Sequence, residues 1–183
     1  MNTNQNTYQI VIVSTSLNPE SKSKRLAESS ALCLRNSAES HGIELEVQHV
    51  ELSQLPVCYC DGRDHEEYPT EWQHVAQLIE ESDAVILSHP VYNYGPSGST
   101  FTFLEIVGEA LEDKVVTVLS AAGSMRSHLA SSSLLHSLFY EFGCYIYPDT
   151  VQITGDQTID DPSLSKRVSN LSEGLITFMQ RMA

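Results

Sequence analysis

The sequence predicts a doubly wound α/β architecture: a five-stranded parallel sheet, order 2-1-3-4-5, with helices on both faces. Three observations carry that expectation. Strand-like apolar runs alternate with amphipathic helical runs from end to end. Two of the strand runs, Ile10–Val13 and Ala84–Leu87, are apolar throughout, as strands covered on both faces must be. At 183 residues the chain is long enough for one sheet with helices packed on each side.

Taken in order, Tyr8 to Ser14 is the first expected strand. Ser21 to about Ser40 follows as a helix, with Leu26, Ala27, Leu34 and Ala38 on one stripe and Gly42 as its stop. Ile43 to Val50 alternates apolar and polar residues, the pattern of an edge strand. Beyond a loop with Pro56, Cys58, Cys60 and Gly62, Thr70 to Glu81 has helical spacing. Trp72, Val75, Ala76 and Ile79 lie inward there, with Thr70 as the expected cap. Ala84 to His89, ended by Pro90, is the third strand. Ser99 to Glu112 reads as a helix, Val115 to Ser120 as the fourth strand and Ala121–Met125 as a loop of small residues. Ser127 to about Phe142 reads as a helix, Cys144 to Ile153 as a fifth strand interrupted at Pro148, and Leu164 to Met182 as a closing amphipathic helix. The whole is expected to be a single domain, 1–183, with the polar residues 1–7 frayed.

Ten Lys and Arg against 24 Asp and Glu give a formal charge of −14. Such a field repels nucleic acid and anionic membranes, so neither is an expected partner. The N-terminus lacks the basic and apolar segments of a signal peptide, and no apolar stretch approaches the ~20 residues that cross a bilayer. A cytoplasmic location is expected. Cys33 and Cys144 read as small core residues. The Cys58-Tyr59-Cys60 pair has no second Cys/His pair at zinc spacing, so two free thiols are expected and no metal. His89, at the end of a strand before Pro90, reads as structural rather than catalytic, and none of the other six histidines is assigned a role.

Two loops hold most of the functional information. Ser14–Ser23 follows the first strand, is rich in hydroxyls and runs into a helix, an arrangement that converges O–H and N–H groups on a phosphate. An anionic ligand in so acidic a chain needs local positive potential, and Lys22, Lys24 and Arg25 are candidates for it or for a solvated helix start. Pro90–Gly98 follows the third strand and offers Tyr92, Asn93 and Tyr94 on a Gly-Pro-Ser-Gly backbone, suited to a flat heteroaromatic ring. In the 2-1-3-4-5 order these two loops flank the topological switch point, where ligands of such sheets bind. A phosphate loop beside a ring loop describes a mononucleotide site, and FMN is the expected cofactor.

From about Tyr8 to Met182 the chain resembles the NAD(P)H-dependent FMN reductases of flavodoxin-like fold, which include quinone, azo-dye and chromate reductases. The family's first loop, Gly-Ser-x-Arg-x-x-Ser, is similar to Thr15–Ser21, with Thr15 for the glycine and Asn18 for the arginine. Its Pro-x-Tyr-Asn-x-x-x-Pro/Ser-Gly-x-Leu-Lys-Asn pattern is similar to Pro90–Thr102, with Phe101-Thr102 for the Lys-Asn pair. The resemblance implies that Ser16, Asn18, Ser21 and Ser23 bind the FMN phosphate. It implies that Pro90, Tyr92, Asn93, Tyr94 and Ser97 pack on or bond the ring, and that Ala122 and Gly123 approach it. It also implies NADPH or NADH as co-substrate and a small electron acceptor (free flavin, quinone, azo compound or metal ion) reduced by a ping-pong cycle with no catalytic side chain. A homodimer or homotetramer is implied, and the apolar residues Phe101, Phe103, Leu104, Ile106 and Val107 exceed one inward stripe, as a partner-facing helix would. Arg126 would meet a nicotinamide phosphate or serve as a surface charge. A flavodoxin-type electron carrier, and a binding protein that has lost its flavin, are the alternatives.

Overall fold

A computed structural model describes residues 7–182. The expected frayed terminus lies outside them except for Thr7, whose hydroxyl donates to Glu44 at 2.9 Å. The first strand, β1 (Tyr8–Ser14), leads into α1 (Lys22–His41), and the edge strand β2 (Leu45–Glu51) returns beside it in parallel. After α2 (Thr70–Glu80), β3 (Ala84–Tyr92) pairs with the other side of β1 and forms a hairpin with the short β4 (Gly95–Pro96). Then come α3 (Gly98–Val107), β5 (Val115–Ala122), α4 (Ser132–Tyr140), β6 (Tyr145–Ile146), β7 (Val151–Thr154) and α5 (Pro162–Met182).

The sheet order is β2-β1-β3-β5-β6, with β7 also on β5. In sequence terms this keeps the expected 2-1-3-4-5 layout, but the described residues form seven strands, not five. The fifth run divides around Pro148, and Thr117 Oγ1 donates to the Asp149 carbonyl at 2.6 Å across the break. The other addition is the β4 hairpin. Pro90 does not end β3: β1 stops pairing at Ser88, so by Pro90 only the β5 side is bonded and the missing N–H costs less.

Two apolar layers sandwich the sheet. α1 and α5 cover one face, with Leu26, Leu34, Leu171 and Leu175 fully buried. α2, α3 and α4 cover the other, around Trp72, Ile79, Phe103, Leu134 and Leu138. Gly42 ends α1 with φ 65°, a left-handed C-cap that glycine adopts freely. Three boundaries differ from expectation. Pro69, not Thr70, occupies the cap of α2, and its carbonyl accepts from Trp72 and Gln73. The third helix gives way at Gly108 to a 3-10 turn, where the Phe142 ring occupies the space a Cβ would need. The fourth begins only at Ser132, after a tight turn at Met125–Ser127. Of the five apolar residues of α3, Phe103, Leu104, Ile106 and Val107 are buried within the chain itself, because α3 is flanked by neighbouring helices above the sheet. Only Phe101 remains partly open.

Candidate active site

The loops after β1, β3 and β5 meet at one end of the sheet. β1 stops at Ser14 and α1 starts at Lys22, so Thr15–Ser21 must redirect the chain from strand to helix within seven residues. Side chains build that turn. Ser16 Oγ accepts from Asn18 N at 3.2 Å, and Asn18 Oδ1 accepts from Glu20 N at 3.0 Å. Ser21 caps the helix in extended geometry, its Oγ accepting from Lys24 N at 3.1 Å and lying 3.2 Å from Ser23 Oγ. Ser16, Ser21 and Ser23 are buried, while Asn18 is exposed.

Among the described residues, the backbone N–H groups of Ser16, Leu17, Lys22 and Ser23 find no protein acceptor. Two of them open α1, where the helix dipole adds positive potential. That is the donor set a phosphate requires, so the residues present fit FMN's charged end. The three cations suggested by sequence are engaged elsewhere. Lys22 Nζ donates to the carbonyls of Gly155 (2.6 Å) and Gln157 (3.1 Å), Lys24 pairs with Glu51 (2.9 Å), and Arg25 pairs with Glu20 (3.1 Å).

The second loop is a hairpin. Tyr92 pairs with Gly95, which leaves Asn93 and Tyr94 as a two-residue turn with φ 53° and 62°. Positive φ at both positions is the type I′ geometry that matches strand twist. Asparagine tolerates it, but a tyrosine there costs about 1–2 kcal/mol. Tyr92 and Tyr94 are 56% and 62% exposed. Below them Pro90 and Ser97 are buried, and Ser97 N donates to the Pro90 carbonyl at 3.2 Å.

A hydroxyl network joins the two loops. Thr15 Oγ1 lies 2.8 Å from Thr100 Oγ1, Thr100 lies 2.9 Å from Ser97 Oγ, and Ser99 Oγ donates to the Thr15 carbonyl at 2.6 Å. Thr15, Ser97 and Thr100 are buried. Sequence reasoning registered Thr15 only as a departure from glycine; its partner Thr100 stands where the family pattern has leucine, and the bond between them depends on a contact 85 residues apart in the chain.

His89, expected from the sequence to be structural, has partners that the sequence does not show. Its ring is fully buried at the end of β3, with Nδ1 3.2 Å from the Pro90 carbonyl and Nε2 2.9 Å from Ser131 Oγ. Burial pushes it down to about 4, so at neutral pH one nitrogen donates to Pro90 and the other accepts from Ser131. It thereby ties the ring loop to the segment before α4. The third loop sits beside it, because Pro90 pairs with Ala121; Ala122 is buried and Gly123 exposed. Arg126 is exposed in that loop, with no carboxylate partner among the described residues. Cys58 and Cys60 are free thiols, and no cluster of metal-ligating side chains occurs among the described residues.

The family comparison agrees with this geometry. The sequence model of the NADPH-dependent FMN reductases matches residues 8–158, and the chain belongs to that family. It is therefore an NAD(P)H-dependent flavin oxidoreductase that uses FMN. An NAD(P)H-dependent FAD/FMN reductase of Geobacillus thermodenitrificans (strain NG80-2) is 23% identical over 135 residues, 70% of this chain and 73% of that protein. An oxidoreductase from Corynebacterium diphtheriae has the same fold, with a TM-score of 0.81 at 19% identity over 97% of this chain and 99% of that one. The apo form of an NADH:FMN oxidoreductase aligns with a TM-score of 0.69 at 20% identity, covering 96% and 90% of the two chains. No described helix is long and apolar enough to cross a membrane.

Proposed function

We propose that FMN lies across the three loops and that the enzyme moves reducing equivalents from NADPH or NADH to a small oxidised acceptor. Free flavin, a quinone, an azo compound or a metal ion could fill that role. The observation that carries this reading is the set of four N–H groups between β1 and the first turn of α1 that have no acceptor among the described residues, on a loop beside a second loop with exposed aromatics at the switch point. The flavin supplies the hydride chemistry. The protein's part is placement. Ser16, Ser21 and Ser23, with the N–H groups around them, hold the phosphate, while Asn18 shapes the turn and lends an amide. Pro90, Tyr92, Asn93 and Ser97 form one wall for the ring and Ala122–Gly123 another, with Tyr94 at the outer tip of the hairpin. Asn93 and the backbone N–H groups of the turn offer donors to negative charge on the reduced ring.

One open face serves both substrates in turn, so the nicotinamide leaves before the acceptor enters. Steady-state rates measured over a grid of NADPH and quinone concentrations test this. Parallel double-reciprocal lines are expected, and intersecting lines contradict the ping-pong order. Arg126 is the donor-side contact we assign to a nicotinamide phosphate. The chain acts as one cytoplasmic domain, 1–183, without nucleic-acid or membrane partners. It assembles as a homodimer or homotetramer, with the exposed Phe139 and Tyr140 of α4 as contact residues in place of the buried α3 set. Elution as a monomer at micromolar concentration contradicts that assembly.

A further inference from the structure

Tyr94 is the residue whose presence in its turn the fold does not explain. It holds φ 62°, in the left-handed region, at the tip of a two-residue turn. Asn-Gly is the usual sequence for that turn, and here the glycine stands one place later, at Gly95. Nothing local compensates the tyrosine. Its ring is 62% exposed, its hydroxyl has no hydrogen-bond partner among the described residues, and it stacks on no other described aromatic ring. A bulky side chain kept in strained geometry without packing in return points to a role with a ligand.

We propose that Tyr94 presents its ring as a stacking face for a planar, uncharged aromatic electron acceptor, and so biases the enzyme toward that class over inorganic oxidants. The proposal rests on the flavin-site reading above. Val91–Gly98 contain no charged residue, while the chain as a whole carries −14. A neutral ring therefore approaches the hairpin unopposed, whereas an anionic metal complex meets repulsion and gains nothing from an aromatic face. In the overall reaction NADPH gives up a hydride, solvent gives a proton, and a quinone takes both to become the hydroquinone.

The test uses the FMN-loaded enzyme with 1,4-naphthoquinone and with ferricyanide, in wild type, Tyr94→Gly, Tyr94→Phe and Tyr94→Trp. In Tyr94→Gly the ratio of kcat/KM for naphthoquinone to that for ferricyanide falls about tenfold to a hundredfold, mainly through KM for the quinone. Tyr94→Phe and Tyr94→Trp keep the ratio within about twofold, since only the π-face matters. The thermal midpoint of Tyr94→Gly rises by about 2–4 °C as the strain is relieved. An unchanged ratio in Tyr94→Gly with flavin still bound overturns the proposal and leaves the flavin site standing. Loss of flavin from Tyr94→Gly alone assigns the ring to the cofactor and also overturns it. Failure of the wild type to bind FMN overturns the underlying site as well.

Discussion

The two loops that flank the switch point solve opposite problems. Thr15–Ser23 is a closed structure. Its hydroxyls are buried and hydrogen-bonded, four of its N–H groups have no acceptor among the described residues, and its nearby cations are engaged elsewhere. Tyr92–Gly95 is an open one, with two exposed rings and a left-handed tyrosine at its tip. A phosphate is recognised by fixed donors that need no rearrangement, so rigidity serves the first loop. On the proposed reading the second meets partners that come and go, and there strain is tolerated to keep an aromatic face in solvent. Yet the open loop has a rigid base, because His89 and Ser97 both donate to the Pro90 carbonyl.

The largest effect expected from this contrast lies at that base. His89 is held at about 4 in the fold against its ordinary 6.5, by burial. The unfolded chain therefore binds the extra proton between those pH values. His89's contribution is present in full above pH 6.5 and is lost as pH falls toward 4, amounting to up to about 3 kcal/mol. Urea unfolding at pH 7 and pH 4.5 measures it. His89→Asn should reduce the pH dependence over this window, and an unchanged slope would remove His89 from the account.

The link between the loops should be smaller. If Thr15 and Thr100 couple the phosphate loop to the ring loop, their single valine variants each destabilise by about 1–3 kcal/mol, because each leaves a buried hydroxyl short of its partner. The double variant should cost less than the sum, with an interaction of about 1 kcal/mol in a double-mutant cycle. Strict additivity would mean the loops are independent. Smaller again is Asn18→Arg, which adds a cation to a loop that works without one. FMN affinity should rise a few-fold at low salt and return toward wild type at high salt, as screening of an exposed pair requires.

Much of this was legible in the sequence, for particular reasons. The buried strands, the α1 stripe and the two loops all show as local patterns, and the expected 2-1-3-4-5 order puts those two loops at the switch point. What was not legible depends on partners distant in the chain. Lys22 appears free until the Gly155 and Gln157 carbonyls are seen beside it. The residues of α3 look surplus until their neighbouring helices are in place. Asn93-Tyr94 does not have the glycine that signals a type I′ turn, so the hairpin was hidden by the very substitution that gives it interest.

The central claim is that buried hydroxyls and backbone N–H groups at the start of α1 hold the phosphate. Fluorescence titration of wild type and Ser21→Ala with FMN and with riboflavin, which lacks the phosphate, tests it directly. Ser21→Ala should lose about tenfold to a hundredfold in FMN affinity, the worth of a hydroxyl bonded to a charged oxygen, while riboflavin affinity stays the same. Equal losses for both flavins, or no loss for FMN, would contradict it.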